Sequence, residues 1–271
     1  MNHRLLLRQS PRLRIDARAL SRVALSSLSI DDVRRLTLPH GRDQLPVAEL
    51  FDVLPPAEGA GPSLVIEGDL SRFDAIGAGL TGGVIEIVGP VGDAAGLGMT
   101  GGTLTVHGRA GDLTGCSMRG GWLEVIGDIG DFAASAMPGD MDGMRGGTLV
   151  VRGNAGERLA DRMRRGTVAV FGDAGDFMAS RMVAGTIALA GRCGAHPAWG
   201  MRRGTLVLAG PAPTPASTFV PVRSNAEVFW RLLTNDLARF GGPFESLAAR
   251  RIERFAGDIG VQGKGELLFV R

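Results

Sequence analysis

The thirteen residues Met144–Gly156, MRGGTLVVRGNAG, surround a short aliphatic run with four glycines. Glycine loses the most backbone freedom on folding, so it weakens an isolated strand. The same arrangement nevertheless returns in heptapeptides that begin at Pro62, Gly83, Gly102, Gly121, Gly147, Gly166, Gly185 and Gly204. Successive starts lie 21, 19, 19, 26, 19, 19 and 19 residues apart. A fixed period of this length indicates a solenoid, and the long step indicates a seven-residue insertion around SAMPGDMDG.

Each heptapeptide has aliphatic residues at its third and fifth positions and glycine at its seventh, as in Leu149, Val151 and Gly153. Alternation with a period of two predicts a strand with one buried face, and the residue between, such as Val150, is expected to face outward. A large apolar residue stands three positions before most units, at Leu80, Met99, Met118, Met144, Met163, Met182 and Met201. We predict an all-β fold, a right-handed parallel β-helix of about eight coils with a period of about 19 residues.

The flanks of the repeat predict small α/β caps at both ends. Residues 1–61 form the N-terminal cap, residues 62–210 the β-helix, and residues 211–271 a linker followed by a C-terminal helix and strand. In the N-terminal cap, RLLLRQSPRLRIDA predicts a pair of strands, and SIDD predicts the capped start of a short helix.

The C-terminal segment SNAEVFWRLLTNDLARFGG predicts a helix that ends at Gly241. Ser224 and Glu227 have the spacing of a capping box. The apolar face that we expect to be buried consists of Val228, Leu232, Leu233 and Leu237. This segment is expected to fold back along the β-helix.

Composition favours a cytoplasmic protein without a catalytic site of its own. The 271 residues carry a net charge of +2 and include a single lysine, Lys264. Cys116 and Cys193 lack partners at metal-ligand spacing, which predicts free buried thiols and no metal site. The N-terminal run MNHRLLLRQSPRLRID has only three consecutive apolar residues, so neither a signal peptide nor a membrane span is predicted. The glycine-rich strings are corners of the repeat and precede no helix, so we predict no dinucleotide site.

Two rows of charged residues follow the period. The acidic row consists of Asp93, Asp112, Asp131, Glu157 and Asp176. Aspartate favours turns, so we interpret this row as turn residues rather than an ion ladder. The basic row lies within two residues of the methionine column and consists of Arg119, Arg145, Arg164, Arg165, Arg202 and Arg203. Neighbouring coils are about 5 Å apart, so these six side chains are expected to form a ridge. Such a ridge is either a solvated face or a binding surface for an acidic partner or polyanion.

Three strings resemble coils of the formylmethanofuran dehydrogenase C-subunit family: IEGDLSRFDAIGAGLTGG, GDAGDFMASRMVAGTIALAG and MRRGTLVL. The β-helix of that family is related to the C-terminal domain of the large subunit of glutamate synthase. The resemblance covers roughly Leu50–Phe219. The repeat alone is shared with glutamate synthase, whereas the short chain and its flanks are most similar to the C-subunits of bacterial formyltransferase/hydrolase complexes.

The resemblance implies a non-catalytic structural subunit of a complex that converts formyl-tetrahydromethanopterin to formate in one-carbon oxidation. A formyltransferase subunit would pass the formyl group to a methanofuran-like cofactor (methylofuran), and an amidohydrolase-like subunit would release formate. A dehydrogenase-B-like subunit would be the third partner, with no nucleic acid and no membrane involved. The cofactor would be bound by the complex rather than by this chain alone, and its polyglutamate chain could follow the arginine ridge. Two alternatives stay open: the C-subunit of a tungsten or molybdenum formylmethanofuran dehydrogenase, and a glutamate-synthase-like β-helix module.

Overall fold

A computed structural model describes residues 3–25, 28–55, 63–224 and 226–271. The strands in chain order are β1 (His3–Leu7), β2 (Ile15–Asp16), β3 (Thr37–His40), β4 (Asp43–Pro46), β5 (Phe51–Leu54), β6 (Ser63–Glu67), β7 (Phe73–Asp74), β8 (Thr81–Val88), β9 (Thr100–Val106), β10 (Arg119–Val125), β11 (Arg145–Val151), β12 (Arg165–Val170), β13 (Thr186–Leu189), β14 (Thr205–Leu208), β15 (Val220–Val222), β16 (Ile252–Gly257) and β17 (Gly265–Val270). The α-helices are α1 (Ser21–Leu25), α2 (Ile30–Arg35), α3 (Val47–Leu50) and α4 (Glu227–Leu237). The all-β class predicted from the sequence is confirmed, because strands dominate and helices are few and short.

The strands of the repeat form the centre of a 13-stranded, mostly parallel sheet in the order β15-β16-β17-β14-β13-β12-β11-β10-β9-β8-β6-β1-β5. Each repeat strand lies beside the strand of the next unit with equivalent positions opposite each other. Leu149 faces Leu123 on one side and Val168 on the other. The 26-residue step keeps this register, so the additional residues are accommodated outside the strands.

A second line of contacts joins successive units at their turns. Parallel bridges link Ala110 to Ile129, Ile129 to Ala155, and Ala155 to Ala174. Backbone hydrogen bonds also join successive units here, such as the bond from the Ala174 N–H to the carbonyl of Arg192 at 2.9 Å. Each unit is therefore bonded to its neighbours along two edges.

The predicted interior is confirmed. The aliphatic third and fifth positions of the units are buried, and so is the large apolar column at Leu80, Met99, Met118, Met144, Met163, Met182 and Met201. Like residues stack on like residues from unit to unit, which gives one continuous apolar core. Burying one such side chain contributes about 1.5–3 kcal/mol.

The corner glycines are required for two different reasons. Gly89 has φ +141°, a conformation that residues with a side chain rarely adopt. Gly111 has no such φ, but a Cβ there would overlap the Asp93 carboxylate and lie 2.9 Å from the carbonyl carbon of Gly92. Close stacking of the units thus excludes side chains at these corners.

The acidic row confirms the turn interpretation. The carboxylate of Asp93 accepts the backbone N–H of Asp112 at 3.0 Å, and that of Asp112 accepts the N–H of Asp131 at 2.9 Å. Asp131 and Asp176 accept the N–H groups of Glu157 and Ala195, both at 2.7 Å. The donor in each case lies 19 or 26 residues further along the chain, so these carboxylates stabilise the start of the equivalent turn in the next unit.

The N-terminal residues extend the sheet. β1 lies parallel to β6, and β5 lies antiparallel to β1. The predicted strand pair is wrong as a pair: both strands form, but β2 belongs to a separate four-stranded sheet in the order β4-β3-β2-β7. β1 is drawn away because it covers the open edge of the first repeat strand. The capping box of α2 is confirmed, with Ser29 accepting the N–H of Asp32 at 3.1 Å.

The C-terminal residues continue the sheet at the other end. β17 lies parallel to β14, and the antiparallel strands β16 and β15 follow it. The sequence predicted a single strand in this region, so β15 and β16 are additional elements. The fold-back of the helical segment is confirmed, since residues of the α4 region pack on the outer face of the last units. The outward positions that they cover are buried, at Val150, Ala169, Ala188 and Val207.

Two details of the C-terminal helix prediction are wrong. The residue that precedes α4 is Ala226, in a left-handed conformation and without a side-chain cap, so Ser224 and Glu227 form no capping box. Half of the predicted buried face is confirmed, since Leu237 is buried and Leu233 is partly buried against the same cluster, but Val228 is 75% exposed and Leu232 65% exposed. The other buried residues of α4 are Trp230 and Thr234. The helix presents two apolar stripes, and the one with the large indole is packed against the sheet because it buries more apolar area. α4 ends at Leu237, and a 3-10 turn carries the chain to Gly241.

Candidate functional site: an arginine groove

The predicted arginines are positioned by the methionine column. Each methionine side chain is buried, and the residue after it bonds back to the preceding unit. The N–H of Arg164 donates to the carbonyl of Met144 at 2.8 Å, and that of Arg202 to the carbonyl of Met182 at 2.8 Å. With the backbone held and the methionine turned inward, the arginine side chains extend into solvent.

Five of the six predicted arginines line one open groove of about 570 Å³. They are Arg145, Arg164, Arg165, Arg202 and Arg203. Arg119, the sixth, is exposed on a neighbouring unit and is not part of the lining. The structure therefore brings together most of the predicted ridge as a concave surface.

The groove exists because one unit lacks arginines. Val183 and Ala184 occupy the two positions that hold Arg164 and Arg165 in the unit before. In the unit after, the same two positions are Arg202 and Arg203. Short side chains thus form the floor between two arginine pairs, which lie two strand spacings apart, or about 10 Å.

The groove is strongly positive. Asp142 lies 3.1 Å from Arg145 and 3.2 Å from Arg164. In the ranges that the structure describes, no carboxylate lies within 4 Å of Arg165, Arg202 or Arg203 as an ion-pair partner. Guanidinium groups without a carboxylate partner are suited to bind carboxylate or phosphate oxygens through paired N–H groups.

A second depression of about 630 Å³ adjoins the groove and shares Val183 and Arg202 with it. Its lining includes Trp199, which is 55% exposed, and the exposed Met141. This depression was not predicted from the sequence. One feature of the sequence could have indicated it: Trp199 stands two residues before the buried Met201, at the position that Ser180 occupies in the preceding unit.

A column of stacked side chains was also missed in the sequence analysis. The Arg158 guanidinium lies over the ring of Phe177 at 4.9 Å and that of Phe132 at 5.9 Å. The ring of Phe177 in turn stacks on His196, with centroids 5.1 Å apart. These four residues occupy equivalent positions of successive units, so their period in the sequence was the signal. Cation–π and ring stacking of this kind stabilise the unit-to-unit contact.

The two cysteines are free thiols held in the protonated form. Burial raises the pKa of Cys193 to about 12 and also raises the pKa of Cys116. The Sγ–H of the fully buried Cys116 donates to the carbonyl of Ser135 at 3.0 Å. Cys193 is partly accessible, so only Cys116 is buried as fully as predicted.

Metal-binding clusters and membrane-crossing helices are both absent from the described part of the chain. No group of three or more His, Cys, Asp or Glu side chains that could hold a metal ion occurs among the described residues. None of the helices in the described ranges has the length and apolar character needed to cross a membrane.

The repeat, the stacked core and the glycine corners define a protein of the GXGXG class. A family model described as the GXGXG motif matches residues 103–217. Among curated proteins, no significant match was found. A solved structure matches with 41% identity over 98% of both chains and a TM-score of 0.88: the formyltransferase/hydrolase complex (FhcABCD) from Methylorubrum extorquens in complex with methylofuran. At that identity and coverage the chain belongs to the C-subunit family of formyltransferase/hydrolase complexes, as its motifs predicted.

Proposed function

We propose that this chain is a structural subunit of a formyltransferase/hydrolase complex and carries no catalytic residue of its own. The observation that supports this most is the 41% identity over 98% of both chains with a chain of the Methylorubrum extorquens complex. That match extends over nearly the whole chain, whereas the GXGXG motif covers only residues 103–217. It therefore favours this complex over a tungsten or molybdenum dehydrogenase and over a glutamate-synthase-like module.

In this proposal the complex converts formyl-tetrahydromethanopterin to formate through a methylofuran cofactor. The solved relative was crystallised with methylofuran, which supports use of that cofactor by the complex. The chain itself contributes shape and surface. Its carboxylates support this role, since Asp93 and Asp112 are engaged by backbone N–H groups of the next unit.

The proposed partners are a formyltransferase subunit, an amidohydrolase-like subunit and a dehydrogenase-B-like subunit. An uncovered apolar surface on α4, formed by Val228 and Leu232, suits contact with such a chain. We place the complex in the cytoplasm, where the free thiols of Cys116 and Cys193 would stay reduced.

We further propose that the repeat forms a right-handed parallel β-helix, with caps at residues 1–61 and 211–271 around a rod at residues 62–210. The equivalent register of successive strands and the second line of bridges at the turns support this interpretation. Right-handed connections are the rule between parallel strands of one sheet. A rod of this kind offers long, stiff faces on which several enzymes can be held at fixed distances.

The proposed place in the complex is tested by affinity purification of the tagged full-length chain from its own host, followed by mass spectrometry. We expect the formyltransferase and amidohydrolase-like chains to co-purify in a constant ratio. A folded chain that always elutes without them would contradict the proposal.

A second proposal concerns the arginine groove, which we infer guides the acidic chain of the cofactor between active sites. The observation that supports it is the convergence of five arginines on one concave surface with a single paired aspartate, Asp142. The complex with Arg164, Arg165, Arg202 and Arg203 all changed to Ser should transfer formyl groups more slowly, most of all at high dilution. An Arg119→Ser complex is the control, because Arg119 lies outside the groove. Equal rates for all three complexes across salt concentrations would contradict the guiding role.

A further inference from the structure

The long unit of the repeat has a defined insertion. Phe132–Ser135 aligns with Phe177–Ser180, and Gly143–Met144 aligns with Arg181–Met182. The additional seven residues are therefore Ala136–Asp142. Asp142 is the last of them and stands two positions before the buried Met144.

The insertion is held in place by backbone contacts. The N–H of Gly143 donates to the carbonyl of Arg162 at 2.9 Å, and the Arg162 side chain donates to the carbonyl of Asp140 at 2.9 Å. A turn between Met137 and Asp140, closed by a 2.9 Å hydrogen bond, precedes this point. Asp142 is thus presented from a fastened segment.

The carboxylate of Asp142 lies between guanidinium groups of two successive units. The same oxygen, Oδ2, is 3.1 Å from Nη2 of Arg145 and 3.2 Å from Nη1 of Arg164. The Asp142 side chain is only 24% exposed. This arrangement shows how the groove can bind a carboxylate: one carboxylate is shared by the arginines of two neighbouring units.

We propose that Asp142 is an internal counter-ion that occupies the place of a ligand carboxylate and sets which anions the groove takes. The inference rests on the proposed binding role of the groove. A carboxylate that binds Arg145 or Arg164 has to displace this tethered competitor, so a single carboxylate binds weakly at that pair. A chain with several carboxylates also reaches Arg165, Arg202 and Arg203, and these additional contacts favour it through effective concentration. The ligand class is therefore a flexible polycarboxylate able to span about 10 Å, two strand spacings.

The test compares Asp142→Asn with Asp140→Asn in the full-length chain. Asp140 belongs to the same insertion, and in the structure its side chain forms no ion pair with a described residue, so both variants change the net charge equally. The probe is a fluorescein-labelled ten-residue oligoglutamate, and the readout is its fluorescence anisotropy at 50 and 200 mM salt. We expect Asp142→Asn to lower the dissociation constant about three- to tenfold, because a repelling charge next to the ligand is removed. Asp140→Asn should stay within about twofold of the unchanged chain.

The outcomes separate this inference from the groove proposal. If the unchanged chain binds the probe and Asp142→Asn binds it equally or more weakly, Asp142 is no competitor and the inference is overturned while the groove proposal stands. If neither the unchanged chain nor Asp142→Asn binds the probe, both proposals are wrong. Asp142→Ser serves as a second variant with the same expected gain, and thermal unfolding of each variant confirms that it is folded.

Discussion

The carboxylate of Asp161 accepts two hydrogen bonds from the guanidinium of Arg181, which lies one repeat unit further along the chain. The distances are 3.0 Å from Nε and 2.6 Å from Nη2. The Asp161 side chain is 8% exposed, so this ion pair is partly shielded from solvent. It connects two units beside the depression that Trp199 lines. Bidentate pairs of this kind fix geometry as well as charge.

Removing the arginine of this pair should destabilise the chain. We expect Arg181→Ala to lower the free energy of unfolding by about 2–3 kcal/mol, because it removes both hydrogen bonds from a buried carboxylate and leaves it only the Arg162 guanidinium at 4.0 Å. Arg119→Ala, at an exposed arginine, is the control and should change it by less than about 0.5 kcal/mol. Urea unfolding at pH 7 measures both variants. Equal stabilities for the two would show that the Asp161–Arg181 pair contributes nothing.

Substitutions at two glycines distinguish steric crowding from backbone conformation as the reason that glycine is required. Gly111→Ala places a methyl group against the Asp93 carboxylate and 2.9 Å from backbone atoms of Gly92. Gly98→Ala meets no atom within 4 Å but must adopt φ +62°. We expect a loss of about 1–2 kcal/mol for Gly98→Ala from the left-handed conformation, and a larger loss for Gly111→Ala. The reverse order in urea unfolding would contradict close stacking as the cause of the corner glycines.

Alkaline pH should weaken the fold through the buried thiols. Burial raises the pKa of Cys193 from its ordinary value of 9.0 to about 12. The native state then retains a proton that the unfolded chain releases. The stability from this group is fully present below pH 9 and is lost as the pH rises toward 12. We expect the free energy of unfolding to fall by about 1 kcal/mol for this thiol between pH 9 and pH 10.

The absence of tyrosine and the single lysine of the chain make this alkaline signal easy to isolate. The measurement is urea unfolding from pH 8 to pH 10.5 for the unchanged chain and for Cys193→Ala. The variant should show the shallower decline. Parallel declines would mean that the Cys193 thiol does not cause the pH dependence.

The attachment of the C-terminal segment should depend on the indole of Trp230. Trp230 is buried in the cluster with Val207 and Leu237, and its Nε1–H donates to the carbonyl of Arg250 at 3.3 Å. We expect Trp230→Ala to lower the free energy of unfolding by about 3–5 kcal/mol. Val228→Ala, on the exposed side of the same helix, should be nearly neutral. Faster hydrogen exchange in residues 227–250 of Trp230→Ala would locate the loss, and unchanged exchange there would contradict it.

Much of the repeat could be predicted because its signals are local. Leu149 and Val151 alternate within one strand, Met144 precedes it at a fixed distance, and Gly153 follows it. Eight copies of this pattern define a register in which equivalent residues must stack, and the observed pairing of Leu149 with Val168 follows that register. The capped start of α2 at Ser29 was predictable for the same reason, since a capping box spans four residues.

The sequence predictions were wrong or incomplete where contacts between distant segments determine strand pairing or burial. β1 was expected to pair with its neighbour in sequence, but it covers the edge of β6. Val150 lies on the outward face of its strand as predicted, but the local pattern does not show that it is buried there in a cluster with Phe240 and Phe244. The spacing of Val228 and Leu232 predicted that they lie on the buried face of α4, but the face that contains Trp230 is buried instead. In each case a partner far along the chain competes with the local pattern.

The sequence by itself determined the class of fold, the stacked interior and the row of arginines, because a period of 19 residues repeats the same local choices at each turn. Only the tertiary structure decided that five arginines enclose a groove above Val183 and Ala184 and that Arg119 stays outside it. It also decided that Asp142 reaches Arg145 and Arg164. The physical reason is that the period gives the position of each unit in the sheet. The depth of a groove and the pairing of its charges depend instead on side chains brought together from separate units and from an insertion that follows no period.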